Sequence, residues 1–420
     1  MKTLEVHIWN VLVGILSFDR QKQKTYFEYS QEYLDSELEL SPIIYPKSKG
    51  VTEYDYSTTN SFKGLPAFIS DSLPDKFGTE VFYAYLQSKG IKIQEISPLE
   101  QLAYRGNRAM GALEFIPSKK MDADKLNFNL SKLSEISNQI TNKKLIGNFD
   151  KGMFNLFELG TSPGGAQPKI LINKDKNGTI FRGDILPTKN QTSWILKFNN
   201  PTGDFGIEKG KIEYAYYLMA KKAGIEISKS ELIQNNNEEL FITQRFDRKN
   251  GEKIHMQTAM AFARMDWKSN SFGYEYLFKI LQFINADQKD KQELFRRMIF
   301  NILSRNIDDH TKNFSFIMNE NGNWKLAPAY DLVFTAKYGF SQPNESHFLS
   351  INGKHNNITF KDVETLAKSF SVKRYKEIID EVNFAVKQWK SIADEINISS
   401  ENRDFVGSKL LGFPFRFSKI

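Results

Sequence analysis

The stretch Asn306–Asp331, reading NIDDHTKNFSFIMNENGNWKLAPAYD, restricts this chain more than any other. Asp308 and Asn313 stand five residues apart, just beyond a run of helically spaced apolar residues between Asp287 and Ile302. After Asn313, Phe314, Phe316 and Met318 alternate with Ser315 and Ile317. Asn321-Gly322 then supplies a turn, and Trp324-Lys325-Leu326 begins a returning strand. A hairpin pivoting there carries Asp331 back beside Asn313. An amide oxygen and a carboxylate from neighbouring strand ends then share one small volume, a donor set that suits magnesium. An Asp-Asp pair between a helix end and a strand is as often a helix cap or a solvated turn.

The five-residue spacing is that of the protein-kinase catalytic loop, where the Asp receives the proton of the acceptor hydroxyl and the Asn holds a magnesium ion. Asp331 stands where kinases place the Asp of their second metal-binding triplet, although here that triplet reads Asp331-Leu332-Val333. Together, NIDDHTKNFSF and PAYDLV resemble the HipA family of serine/threonine kinases, toxins of bacterial toxin–antitoxin pairs, whose loop has the form D-x-H-x-K-N-F. The resemblance implies Asp308 as the catalytic Asp, with Asp309 mattering much less, and Asn313 and Asp331 as magnesium ligands. It also implies His310 and Tyr330 as nucleotide contacts.

Upstream, Gly160-Thr-Ser-Pro-Gly-Gly-Ala-Gln-Pro-Lys169 leads into a short apolar strand. A glycine-rich loop entering a strand lets backbone amides approach phosphate oxygens, and a plain hairpin connection accounts for the same residues equally well. The run resembles the family's S-x-x-G-A-Q-x-K loop. On that resemblance Ser162 is the autophosphorylation site, and Gly164, Gly165, Ala166 and Gln167 line the nucleotide. Lys197, in the strand pattern Ser193–Phe198, follows the loop as the phosphate-contacting lysine does in kinases, and is expected to outrank Lys169. Glu213, on a helix expected over Ile207–Ala223, is its candidate partner. Leu240–Asp247 reads as a strand running into an interlobe hinge. Family resemblance places adenine on the backbone of Gln244 and Phe246, with Gln257 also in the pocket.

At 420 residues the chain is long for one core, and 40% hydrophobic with 25% charged residues describes an ordinary globular composition. The expected units are 1–120, a β-rich N-terminal subdomain; 121–248, a small lobe with glycine loop, strand lysine and hinge; and 249–420, a helical lobe. The fold class is thus α+β, a HipA-like protein-kinase fold with a β-rich N-terminal lobe and a helical C-terminal lobe. Segments 64–75 and 105–112 extend the resemblance towards the N-terminus. A short helix is expected over Leu130–Ile140, and one apolar pattern runs over Lys373–Ile396.

Zero cysteines exclude disulfides and thiolate metal sites, and suit a reducing cytoplasm. The net charge of +7 comes from scattered lysines rather than a nucleic-acid-binding cluster, and no apolar run approaches a membrane span. The resemblance implies ATP and Mg2+ as cofactors and an aminoacyl-tRNA synthetase as substrate. It also implies a HipB-like helix-turn-helix antitoxin, through which operator DNA is met. A lipid or small-molecule kinase, or a non-catalytic module bridging antitoxin and DNA, are the alternative readings.

Overall fold

In the computed structural model the residues described are 3–56, 61–92, 96–118, 129–141, 159, 167–269, 271–335 and 346–411. The chain divides into two compact units. The first comprises residues 1–199, 233–266 and 317–323, and the second 200–232, 267–316 and 324–420.

The first unit holds two antiparallel sheets. One is built from β1 (Thr3–Ile8), β2 (Val11–Asp19), β3 (Lys24–Tyr29), β4 (Val51–Asp55) and β5 (Leu113–Ile116), in the order β4-β3-β2-β1-β5. Alternation fixes its faces: Leu4, Val6 and Ile8 point inward and are buried, while Glu5 between them is exposed. The other sheet contains β6 (Lys169–Asp175), β7 (Ile180–Arg182), β8 (Gln191–Lys197), β9 (Ser230–Asn235) and β10 (Glu238–Gln244), with β7, β6, β8 and β10 side by side in that order.

Residues 64–112 are more helical than the strand-and-turn reading allowed. Lys76–Ser88 and Pro98–Arg105 are helices, the latter opened by a capping box in which Ser97 and Glu100 satisfy each other's backbone N–H groups. By contact, residues on both sides of position 120 fall in the first compact unit. Phe77, Val81 and Phe82 share one core with Leu133 and Ile136 of the Leu130–Thr141 helix and with Ile170, Trp194, Leu196 and Ile242 of the second sheet. Burying side chains of that size is worth about 1.5–3 kcal/mol each, which welds residues on both sides of position 120 into one body.

The second unit is helical and centred on Gln288–Ser304, whose Leu294, Phe295, Met298, Ile299 and Ile302 are fully buried. Asp287 caps its start, accepting from the Asp290 N–H. Tyr216, on the Lys209–Lys222 helix, donates its hydroxyl to the Ser304 carbonyl at 2.5 Å and packs edge-on against Phe300 and Trp389. The pattern at 373–396 resolves into two helices, Tyr375–Val386 and Trp389–Glu395. No helix among the described residues is long and apolar enough to cross a membrane.

Candidate active site

The Gln288–Ser304 helix stops at Arg305, which turns into the left-handed region with φ 61°. Asn306 is then pinned back onto the helix, its N–H donating to the Asn301 carbonyl and its side-chain amide to Asn301 Oδ1, both at 3.0 Å. The next two N–H groups, of Ile307 and Asp308, both donate to the Thr335 hydroxyl oxygen at 2.8 and 3.1 Å. Thr335 therefore sets the backbone on which Asp308 is carried. Nothing in the sequence motif signals it, because it lies 27 residues away.

Asp308 and Asp309 have opposite environments. Asp309 is buried, and its carboxylate accepts from the Tyr274 hydroxyl at 2.8 Å, His347 Nδ1 at 2.9 Å and the Phe348 N–H at 2.9 Å. Tyr274 in turn accepts from Asn301 Nδ2 at 2.9 Å. The residue expected to matter little is thus the acceptor on which this loop is hung. The Asp308 side chain keeps 48% of its surface open. Its pKa is nonetheless raised to about 7, first by burial of its surroundings, then by the charges of Asp331 and Asp309, with Lys209 opposing. A carboxylate poised near neutrality can take a proton from a hydroxyl.

His310 begins a 3-10 turn over Thr311–Asn313, its ring packed 5.4 Å from Trp267 and 5.5 Å from Phe348, centroid to centroid. The Asn313 N–H closes that turn on the His310 carbonyl at 2.9 Å, and its side-chain amide donates to the Asp308 carbonyl at 2.7 Å. With the NH2 group spent on the backbone, Oδ1 of Asn313 is the end left for a cation.

The hairpin expected after Asn313 forms from Ser315–Met318 and Trp324–Leu326, turning through Gly322 at φ 77°. The returning chain is held by Arg297, which donates to the Ala327 carbonyl at 2.8 Å, and by Ala329, whose N–H donates to the Glu226 carbonyl at 2.7 Å. Tyr330 then donates its hydroxyl to the Lys312 carbonyl at 2.7 Å and pairs with Ser315 Oγ at 2.5 Å. The residue before Asp331 is thereby tied to the residue before Asn313. Asp331 itself has φ 55°, a left-handed conformation a non-glycine residue adopts at a cost. The side-chain ligands available here are oxygens, and Asp331 raises Asp308's pKa by carboxylate repulsion, with Lys209 opposing. Both features fit a hard divalent cation such as Mg2+.

In the first unit, the second sheet presents the lysines. Lys169 opens β6 and Lys197 ends β8, and the two are direct cross-strand partners, both buried. Direct partners share a sheet face, so Lys169 stands beside Lys197. Lys197 Nζ lies 5.7 Å from the Phe241 ring centroid. Gln167 Nε2 donates to the Phe198 carbonyl at 3.3 Å, just beyond the end of β8. Ser162, Gly164, Gly165 and Ala166 lie outside the described residues.

At the end of β10 the Arg245 N–H donates to the Ser193 carbonyl at 2.8 Å. Gln244 is the last residue of β10, and Phe246 lies in the turn that follows it. This stretch is anchored by Asp247. Burial pushes the Asp247 carboxyl up, but Arg245, Arg248 and the Gly111 N–H outweigh it and hold the group well below the usual carboxylate range. Gln257 is fully buried, its amide at 2.7 Å from the Leu40 carbonyl and 2.9 Å from Nε2 of His255, a ring held neutral because burial pushes its pKa down to about 3. Its Oε1 has no hydrogen-bond partner among the described residues.

Two family models match: residues 4–116 as the HipA N-terminal domain and 161–389 as the HipA-like C-terminal domain. The chain belongs to the HipA family. A Shewanella oneidensis serine/threonine-protein kinase toxin HipA is 24% identical over 80% of this chain and 76% of its own length. A Haemophilus influenzae protein whose name proposes a kinase is 32% identical over 43% of this chain, a match spanning only about half of that relative (54%). The fold agrees with the solved Shewanella toxin–antitoxin complex of HipA, HipB and operator DNA, at TM-score 0.68 and 18% identity over 97% of this chain and 96% of that one.

Proposed function

We propose that this HipA-family chain is an ATP-dependent kinase that phosphorylates a serine or threonine hydroxyl of a protein, and that it acts as the toxin of a HipB-restrained pair. The observation that carries the reading is the contrast at Asp308–Asp309: one carboxylate is locked into the fold, while its neighbour is left accessible and raised to about 7 beside Asn313 and Asp331.

Asp308 orients the acceptor hydroxyl and receives its proton. Asn313, through Oδ1, and Asp331 would hold Mg2+, which neutralises charge on the phosphate oxygens when bound. Lys169 and Lys197 supply two ammonium groups on one sheet face for phosphates, and the backbone at Gln244 and Phe246 supplies the adenine contact. His310 and Tyr330 brace the catalytic turn, which supports a contact with nucleotide through that turn. Family resemblance further supports Ser162 as an autophosphorylation site and an aminoacyl-tRNA synthetase as substrate, with operator DNA engaged through the antitoxin in the cytoplasm.

The deciding experiment incubates the purified chain with γ-labelled ATP and Mg2+ in a host lysate. Label on serine or threonine of a discrete protein, absent with Asp308→Asn, is the expected result. Label confined to lipid or small molecules, or no ATP turnover by the folded chain, overturns the reading. Mass spectrometry of the active and Asp308→Asn proteins tests Ser162: phosphate only in the active form supports self-modification, and none in either removes it.

A further inference from the structure

Asp309 is gripped by side chains from two segments of the second unit that are themselves tied together. Tyr274 opens the Tyr274–Phe283 helix, and His347 lies on the stretch that pairs with the start of that helix. The Tyr274 N–H donates to the Ser350 carbonyl at 2.9 Å and the Ser350 N–H to the Phe272 carbonyl at 3.1 Å, a parallel bridge centred on Gly273 and Ser350. Glu275 Oε1 accepts from the Asn352 N–H at 2.6 Å.

Residues 347–355 fold back on themselves. The His347 N–H donates to the His355 carbonyl at 2.8 Å, His355 Nδ1 to the His347 carbonyl at 2.9 Å, and the Ile351 N–H to the Lys354 carbonyl at 2.8 Å. Asn352 and Gly353 make the turn at φ 50° and 75°, two left-handed residues in a row, which an Asn-Gly pair accommodates. Asp362, in the first turn of the Phe360–Ser369 helix, accepts from Asn352 Nδ2 at 3.0 Å and Lys354 Nζ at 2.9 Å. The tip of this hairpin is therefore anchored, and its base carries His347 and Phe348.

The base meets the Asp-Asp turn directly. The Phe348 N–H is shared between Asp309 Oδ1 at 2.9 Å and the Ile307 carbonyl at 3.3 Å, while His347 Nδ1 reaches Asp309 Oδ2 at 2.9 Å. A carboxylate only accepts, so Nδ1 carries the proton, and in the neutral ring Nε2 is left as a bare lone pair. That Nε2 is buried and has no hydrogen-bond partner among the described residues. An unpaired acceptor in the interior is costly, so a plain aromatic ring would fill the same space better. What the imidazole adds is the Nδ1 donor on Asp309, one residue from Asp308.

We infer that His347 is a positioning residue for phosphoryl transfer, acting through Asp309 to hold the turn at 307–310 so that Asp308 is presented to the acceptor hydroxyl. This rests on the kinase reading of Asp308 and adds to it a side chain 38 residues beyond Asp309. His347 itself makes no bond to the reacting groups. Its loss displaces the base without removing it, and a displacement of about 1 Å can lower a rate on the order of 100-fold.

The test is steady-state kinetics of the full chain, with turnover counted per folded molecule. His347→Phe keeps a flat ring and deletes the donor; kcat is expected to fall about 10–100-fold while the KM for ATP stays within about twofold. His347→Asn sets an amide N–H near the Nδ1 position and is expected to recover most of that loss, whereas His347→Gln, whose amide lies one bond farther out, is not. A merely structural histidine would lower the melting temperature and leave turnover per folded molecule unchanged. Nitrogen NMR of the parent ring at pH 8 is expected to show the proton on Nδ1 and none on Nε2. Unchanged kcat in His347→Phe, equal losses in the Asn and Gln variants, or a proton on Nε2 with Nδ1 bare would each overturn the inference. If His347→Phe does not fold, the Asn–Gln comparison and the ring spectrum still decide. A parent chain that transfers no phosphate sinks the kinase reading and this inference together, while an active parent matched by His347→Phe sinks this inference alone.

Discussion

Replacing Asp309 by Asn separates the two roles of the Asp-Asp pair. The carboxylate accepts three hydrogen bonds, Oδ1 from the Phe348 N–H and Oδ2 from both the Tyr274 hydroxyl and His347 Nδ1. An amide has one acceptor oxygen. If that oxygen takes the Oδ1 position, the NH2 group faces two former donors; if it takes the Oδ2 position, Phe348 N–H loses its partner. Hydrogen bonds to a charged group are worth about 1.5–3 kcal/mol each, and a buried donor left unpaired costs a similar amount, so the loss should be roughly 2–4 kcal/mol. In a unit of this size that is on the order of 5–15 °C in melting temperature.

Asp308→Asn should behave in the opposite way. It removes a carboxylate whose ionised form is already disfavoured by Asp331 and Asp309, so the melting temperature at pH 8 should hold or rise while phosphoryl transfer disappears. Urea and thermal melts of the two variants, with turnover measured per folded molecule at low temperature, make the comparison. If Asp309→Asn melted with the parent and abolished turnover, while Asp308→Asn unfolded and retained it, the assignment of the two residues would be reversed.

Lys169→Ala and Lys197→Ala should each weaken binding of an ATP analogue by about 10–100-fold, the loss of one charge-assisted contact, and a silent variant in calorimetry would exclude that lysine from the phosphate site. Thr335→Val should cut turnover by freeing the Ile307 and Asp308 N–H groups, whereas Thr335→Ser should restore it; equal loss in both would place the effect elsewhere. The Asp308 carboxyl, followed by carbon NMR in the nucleotide-free chain, should titrate near 7, and Asp331→Asn should move it down by removing a like charge. Because the folded chain holds that proton to higher pH than the unfolded chain does, Asp308's contribution to stability falls as pH rises from the ordinary carboxylate range to about 7. A midpoint unmoved by Asp331→Asn would show that the two carboxylates do not interact.

What could be read from the chain and what could not divide along the range of the interactions. The hairpin after Asn313, the Leu130–Thr141 helix and the strand carrying Lys197 were legible because each rests on local alternation, spacing or turn chemistry. Asp308, Asn313 and Asp331 stood out because their spacing is itself the motif. Thr335, Asp309's hydrogen bonds and the cross-strand pairing of Lys169 with Lys197 were not, since each depends on a partner distant in sequence: a hydroxyl 27 residues on, a histidine 38 residues on, and a strand register. The burial of Gln257 was not legible either, as a motif match carries no information on burial, and only the fold shows its side-chain N–H on the Leu40 carbonyl. The Asp-Asp pair makes the rule concrete. Two identical side chains, adjacent in sequence, differ by nearly the whole range from enclosed acceptor to half-exposed carboxylate. The difference is made by Tyr274, His347 and Phe348 on one side and Asp331 on the other, none of them within twenty residues.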